Sequence, residues 1–216
     1  MKSPLSITSL ELGPLQTNCY IVAHDPSKKT VVVDPADDGE RIARILGDRE
    51  WVLERILLTH GHFDHIGGVN DLRMRTGAEV WIHAEDAEML ENAEKNFSSY
   101  LGFPCTSQKP DGFLEEDKVI TLGPAEIRVL HTPGHSKGSV SFLGDGFVVV
   151  GDTLFQGGVG RSDFPGCSAE LLLSSIDHKL MILPDETVVY PGHGPSTTIG
   201  RERKENPFLV GDQPYI

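Results

Sequence analysis

Thr59-His60-Gly61-His62-Phe63-Asp64-His65 is the stretch on which the reading of this chain turns. Three imidazoles and one carboxylate fall within positions 60–65, directly after the apolar run Ile56-Leu57-Leu58. Such a run reads as a buried strand, so the polar side chains are delivered at its end. Imidazole and carboxylate are the groups that hold borderline divalent ions. Three further strand-like runs finish in the same way. Val129-Leu130 leads through Thr132-Pro133-Gly134 to His135, Val148-Val149-Val150-Gly151 leads to Asp152, and Val188-Val189-Tyr190-Pro191-Gly192 leads to His193. Glycine beside a ligand lets the backbone turn sharply. Ligands on tight turns at strand ends are what a rigid site on a sheet scaffold requires.

Five histidines and two aspartates exceed what one tetrahedral ion with an open position can use. Two ions sharing one carboxylate use them all. A pair at roughly 3.5 Å can hold a hydroxide between them, since coordination lowers the pKa of water, and the same ions polarise the carbonyl or phosphoryl group under attack. The chain therefore reads as a metal-dependent hydrolase. His24, His83, His131 and His178 lack this context. They read as ordinary polar residues, with His131 a supporting side chain at most.

Short strands alternate with helical patterns elsewhere. Strands are expected at residues 7–12, 19–23, 30–33, 55–58, 79–82, 118–121, 127–130, 139–143, 147–150 and, last, 187–190. Helices are expected at 38–46, capped by Asp37 or Asp38, at 69–75, stopped by Gly77, at 85–93 and at 169–182. Residues 96–116, rich in Pro, Gly and polar side chains, predict a mobile loop over the site. Two Val-Val-Val runs, at Val31 and Val148, each precede an Asp, at Asp34 and Asp152. That echo hints at two related halves. No linker interrupts the chain, so residues 1–216 read as a single α/β domain of two sheets covered by helices.

Composition narrows the class of partner. The length of 216 residues allows a substantial core, and 38% hydrophobic with 24% charged residues is ordinary globular chemistry. A formal charge of −13, from 19 basic and 32 acidic side chains, repels polyanions and argues against nucleic acid. Arg201, Arg203 and Lys204 read as a solvated surface. No apolar run reaches the roughly eighteen residues of a membrane span, and the start lacks a signal-peptide pattern, so a cytoplasmic protein is expected. Cys19, Cys105 and Cys167 are dispersed and odd in number, which supports neither a thiolate zinc site nor a disulfide framework.

These residues resemble the metallo-β-lactamase superfamily over nearly the whole chain. Thr-His-x-His-x-Asp-His, Thr-Pro-Gly-His, Gly-Asp-Thr-Leu-Phe and Pro-Gly-His-Gly all occur in the family's order. The resemblance implies an αββα four-layer sandwich with the site at one edge of two sheets. His60, His62 and His135 would then bind one metal, Asp64, His65 and His193 a second, and Asp152 would bridge them. Zinc is the first expectation for the metal pair, with iron or manganese as alternatives.

Within the superfamily, Gly151-Asp152-Thr153-Leu154-Phe155, Gly160-Arg161 and Asn206-Pro207-Phe208 resemble glyoxalase II, the hydroxyacylglutathione hydrolases. This implies hydrolysis of S-lactoylglutathione or a similar acyl thioester by a metal-bridging hydroxide, with Asp64 and Asp152 as catalytic carboxylates and Arg161 on the substrate. Only 23 residues follow His193, too few for the helical C-terminal domain of larger relatives. Leu209-Val210-Gly211-Asp212-Gln213 supplies no cation after Asn-Pro-Phe, and Asp163 stands where a tyrosine is often found. The shorter glyoxalase-II-like hydrolases, with their Gly-Arg-Ser-Asp-Phe-Pro run, match better. The alternative is an iron-dependent persulfide dioxygenase on the same fold, which shares Gly-Arg-x-Asp-Phe. A secreted β-lactamase is disfavoured by the missing signal pattern and by Asp152 at a frequent cysteine position. The charge speaks against RNA processing, and His62, where glutamate is usual, against electron transfer.

Overall fold

Central strands buried on both faces explain the architecture of this computed structural model, which describes residues 5–102 and 104–211. The first half of the chain forms β1 (Ser6–Leu12), β2 (Thr17–His24), β3 (Lys29–Val33), helix α1 (Gly39–Asp48) and β4 (Val52–Leu57). The one-turn helix α2 (Phe63–Ile66), then α3 (Val69–Thr76), β5 (Glu79–His83), α4 (Ala87–Glu91) and β6 (Gly112–Leu114) follow. The second half gives β7 (Val119–Leu122), β8 (Ala125–His131), β9 (Val140–Gly144), β10 (Phe147–Gly151) and the small ribbon β11 (Leu154–Phe155) and β12 (Gly158–Val159). It ends with α5 (Ala169–Ser175), which widens into a π-turn at Ile176–Leu180, then β13 (Val188–Pro191), β14 (Thr197–Thr198) and α6 (Ile199–Glu205).

Two six-stranded sheets result, ordered β1-β2-β3-β4-β5-β6 and β14-β13-β10-β9-β8-β7. Successive side chains on a strand point to opposite faces, and the cores divide accordingly. Cys19, Ile21 and Ala23 of β2 pack under Ile42, Leu46, Val69 and Leu72 of α1 and α3. Tyr20 and Val22 face the other way and meet Phe142, Phe147 and Val149 of the second sheet. Val148 and Val150 turn from that interface toward Leu172, Ile176 and Ile199. Helices, two sheets and helices thus stack as an αββα sandwich, as the sequence implied.

The Val-Val-Val echo has a structural counterpart. β1-β2-β3 is antiparallel, and β3 then pairs parallel with β4 through α1. β8-β9-β10 is antiparallel, and β10 pairs parallel with β13 through α5. Parallel neighbours need such a crossover. Asp34 and Asp152 occupy the same place in the two units, just after β3 and β10.

Several expectations need correction. The segment 96–116 is not a free loop: the Asn96 carboxamide donates to Met89 O and Cys105 O, and Ser107 N–H donates to Leu90 O at 2.6 Å. It ends in β6, parallel to β5; Phe103 lies outside the described residues. The helix expected over 169–182 is α-helical only to Ser175 and closes through the π-turn at Leu180, leaving Ile182 74% exposed. β13 is not the last strand, since β14 and α6 follow it. Arg201, Arg203 and Lys204 sit on α6, paired with Glu205 and Asp185. Asp212-Gln213 lies outside the described residues.

Candidate metal centre

Four turns at one edge of the sandwich bring the sequence-predicted side chains together. The turn after β4 carries His60 and His62, and α2 presents Asp64 and His65 on its single turn. His135 follows β8, Asp152 follows β10, and His193 follows β13. The His60 ring centroid lies 4.6 Å from that of His62, 4.8 Å from His135 and 4.1 Å from His65. His193 stands 5.5 Å from His65. Residues 75 and more positions apart in the chain share one cage.

Two ligand-type groups emerge, His60/His62/His135 and Asp64/His65/His193, each with nitrogen or oxygen atoms within 4.8 Å of one another. Asp152 stands between them. Its Oδ2 is 3.6 Å from both His135 Nε2 and His193 Nε2, and its Oδ1 is 3.4 Å from His65 Nε2. Asp64 Oδ2 is 3.1 Å from His193 Nε2 and accepts the Thr17 hydroxyl at 3.2 Å.

The inward atoms suit cations. His60 Nε2, His65 Nε2 and Asp152 Oδ1 are buried without a hydrogen-bond partner. His62 Nδ1 and His135 Nε2 approach to 2.9 Å. Buried lone pairs crowded on a common point are costly unless a proton or a metal meets them. Burial, reinforced by neighbouring imidazoles, holds His60 well below its ordinary pKa and takes His62 down to about 3. Neutral imidazole is the form a metal binds. Burial opposes charge on Asp152, yet His65, His135 and His193 keep its carboxyl far below the usual range. Burial likewise opposes charge on His65, and Asp64, Asp152 and Asp34 outweigh it.

An outer layer fixes which nitrogen points inward. Asp34, in a left-handed conformation with φ 49°, accepts Thr59 N–H at 2.8 Å, the Thr59 hydroxyl at 2.6 Å and His65 Nδ1–H at 2.9 Å. Thr59 Oγ1 in turn accepts from His60 Nδ1–H at 3.0 Å. One carboxylate thus leaves Nε2 bare on both rings. Asp34, His60 and His65 also bring ligand-type atoms within 4.8 Å of one another, but Asp34 is saturated by its donors and supports the other two groups. His135 Nδ1–H donates to Arg161 O at 2.8 Å.

Sequence reasoning missed further positioning groups. Buried Asp86 accepts Gly61 N–H, the Ser136 hydroxyl and Gly138 N–H, tying the His60–His62 turn to the His135 turn. The Asn18 carboxamide donates to Pro191 O and Gly194 O, and Tyr20 Oη–H donates to Pro191 O, holding His193 from the opposite sheet. Cys167 Sγ–H donates to His135 O. Gly192 has no alternative: a Cβ there would lie 2.1 Å from Asp152 Oδ1 and 2.8 Å from His65 Cε1. Gly151 combines φ 51° with a Cβ direction 2.4 Å from Thr59 Oγ1. His24, His83, His131 and His178 stay outside the clusters. His83 and His131 stack on each other at 4.2 Å, and His131 reaches Lys137 O.

A cavity of about 830 Å³ opens over the cage, walled by Phe63, Phe97, Phe155, Phe164, Val159 and Leu15. Arg161 stands on its rim, 4.0 Å over the Phe164 ring, and gives two hydrogen bonds to Asp163 at 2.9 and 2.8 Å.

Back-to-back sheets with two histidine–carboxylate groups across their common edge are the frame of a metal-dependent hydrolase. The family model described as the metallo-beta-lactamase superfamily matches residues 12–193, and the chain belongs to that superfamily. It is 39% identical over 205 residues to the probable metallo-hydrolase YqgX of Bacillus subtilis strain 168, covering 94% of this chain and 96% of that one. It is 35% identical over 209 residues to the hydroxyacylglutathione hydrolase GloC of Haemophilus influenzae, covering 95% and 98%. The crystal structure of BLEG-1 B3 metallo-beta-lactamase is 42% identical with a TM-score of 0.91, covering 95% of this chain and 100% of that one. TTHA1623 in a di-iron-bound form gives 37%, 0.84, 94% and 100%. ETHE1 from Myxococcus xanthus gives 28%, 0.79, 95% and 85%. Among the described residues no helix is long and apolar enough to cross a membrane.

Proposed function

We propose that the protein is a thioester hydrolase of the glyoxalase II type, acting on S-lactoylglutathione or a similar acyl thioester. The observation that carries the reading is Asp152, placed within 3.6 Å of a histidine from each cluster, as a shared ligand must be. His60, His62 and His135 would hold one ion, and Asp64, His65 and His193 the other. When bound, such ions act as Lewis acids and lower the pKa of coordinated water. Zinc is the first candidate; iron is the alternative, since TTHA1623 is described in a di-iron form.

The chain's own groups supply the rest. Asp64 and Asp152 line the cavity and accept hydrogen bonds from the attacking water, orienting it toward the carbonyl. The aromatic wall excludes bulk water, which strengthens each polar contact inside. Arg161 and Phe164 form the substrate-facing rim. A thiolate leaves readily, so no strong protein acid is demanded. Similarity to GloC supports the thioester class, and the net charge of −13 speaks against nucleic acid as a partner. A small thiol-borne substrate accords with the expectation of a cytoplasmic protein.

Metal analysis of the purified protein, coupled to a panel of glutathione and other acyl thioesters, tests the reading. Hydrolysis with metal-dependent release of free thiol is expected. The Gly160-Arg161-Ser162-Asp163-Phe164 run supports one second reading, persulfide oxidation, so oxygen uptake with glutathione persulfide is measured on the same preparation. A β-lactam is included because BLEG-1 carries that description. A fully metal-loaded protein that leaves every thioester intact refutes the proposal.

A further inference from the structure

Two cavities meet at His62 and His135, and their walls differ in chemistry. The chamber over the cage is lined by Phe63, Phe97, Phe155, Phe164, Val159 and Leu15, with Tyr100 at its mouth. Leu15 and Tyr100 are 50% and 76% exposed, apolar surface left uncovered where a substrate would enter. Its polar lining is the His/Asp cage itself and Arg161. The adjoining cavity, about 480 Å³, shares Phe97, Tyr100 and Pro165 with the chamber and adds Glu85, Glu88, Glu94, Lys95 and Lys137.

Arg161 is the single guanidinium or ammonium among the described residues lining the aromatic chamber, and its charge is engaged. Asp163, two residues along, takes both of its hydrogen bonds, and its face lies on Phe164. A substrate carboxylate must displace a tethered one. Phe97 is fixed in place although its φ is 69°, because the Asn96 side chain accepts from Ser98 N–H and Asn96 O accepts from Phe63 N–H. Its ring then lies 5.0 Å from His62 and 4.7 Å from Phe164, closing the wall beside the cage. Pockets of this size bury most of a drug-sized ligand, and a three-carbon hydroxyacyl group fills only a small part of it.

We infer that the enzyme selects thioesters of extended apolar acyl groups, with the acyl chain in the aromatic chamber and the polar thiol carrier in the adjoining charged cavity. The inference rests on the thioester reading and refines its substrate. The orientation follows from the substrate's own chemistry. Biological thiols that carry acyl groups are polar, so the apolar half of the molecule is the acyl side, and the carbonyl joining the halves falls at the cage. Each buried methylene contributes about 0.8 kcal/mol, or about fourfold in kcat/KM.

The test uses acyl thioesters of N-acetylcysteamine from acetyl to octanoyl, with the full-length metal-loaded protein. We expect kcat/KM to rise about fourfold per methylene until the chamber is filled. Phe164→Ala and Phe97→Ala should flatten that slope; the octanoyl-to-acetyl ratio is read because loss of folded protein leaves it unchanged. In parallel, dissociation constants of S-methyl to S-octyl glutathione thioethers are measured by calorimetry, and should tighten along the series. A flat or inverted chain-length dependence in the thioether series overturns the inference whether or not thioesters are hydrolysed. Chain-length-dependent binding without hydrolysis of any thioester would leave the apolar chamber standing and refute the thioesterase.

Discussion

A carboxylate that already accepts three hydrogen bonds makes a poor ligand and a good support, and Asp34 illustrates the point. It orients His65 directly and His60 through Thr59. Asp34→Asn keeps the shape but supplies an amide where two donors need an acceptor. Metal affinity should fall 10–100-fold, the usual result of losing such a partner, read by competition with a chelator; unchanged affinity would show that the rings orient themselves. Asp152→Ala should remove most turnover and lower metal content, because both ions lose a shared ligand. Full activity there would end the bridging assignment. Arg161→Ala should raise KM for an anionic thioester more than it lowers kcat once Asp163→Ala has uncovered the guanidinium, as lost uniform binding does. Equal effects with and without Asp163 would mean that the pair does not mask the charge. The seven cage residues were legible because ligand types, glycines and apolar runs are local patterns. Asp34 was visible only as an echo of Asp152, since its task depends on side chains 25 and 31 positions away.

At the scale of elements, α6 shows why periodicity can fail. Its buried face is Ile199, Gly200 and Glu202, so no apolar stripe announces a helix. Glu202 is buried for a polar reason: it accepts the Thr197 hydroxyl, Gly157 N–H and the Asn206 carboxamide, while Asn206 also donates to Gly158 O. The Asn206-Pro207-Phe208 run therefore anchors the β11–β12 ribbon, which carries Phe155 and Val159 on the chamber wall. Glu202→Ala strands two buried donors, the Thr197 hydroxyl and the Asn206 carboxamide, and should cost about 3 kcal/mol. For a chain of this length that is a Tm lower by roughly 6–12 °C, measured by calorimetry. A change below about 1 kcal/mol would mean that water replaces the carboxylate. The segment 96–116 misled in the opposite way. Its Pro, Gly and polar residues resemble an untethered loop, yet Asn96 and Ser107 use their polar groups to bind it to the body.

Across the whole molecule, the cage is also the seam between the two structural units. His60, His62, Asp64 and His65 come from the unit containing β1–β4, and His135, Asp152 and His193 from the unit containing β8–β13. Each cluster draws side chains from both, so an ion bound in either one would cross-link the sheets at their edge. The seam has protein contacts of its own in Asn18, Tyr20 and Asp86, and Tyr20, Val22 and Phe142 fill the interface behind it. Sequence periodicity revealed the strands but not this seam, because the contacts that close it, such as Asn18 and Tyr20 to Pro191, join residues more than a hundred positions apart. A ligand held only by the folded state adds about 4 kcal/mol at a thousandfold excess over its dissociation constant. Stripping the metal with a chelator should accordingly lower Tm by roughly 8–16 °C for each tightly held ion. Amide exchange should quicken at residues 59–65, 132–136 and 191–194 before it does in the inter-sheet core. Loss of metal with Tm and exchange both unchanged would mean that the protein contacts alone close the seam, and that the clusters bind ions without joining the halves.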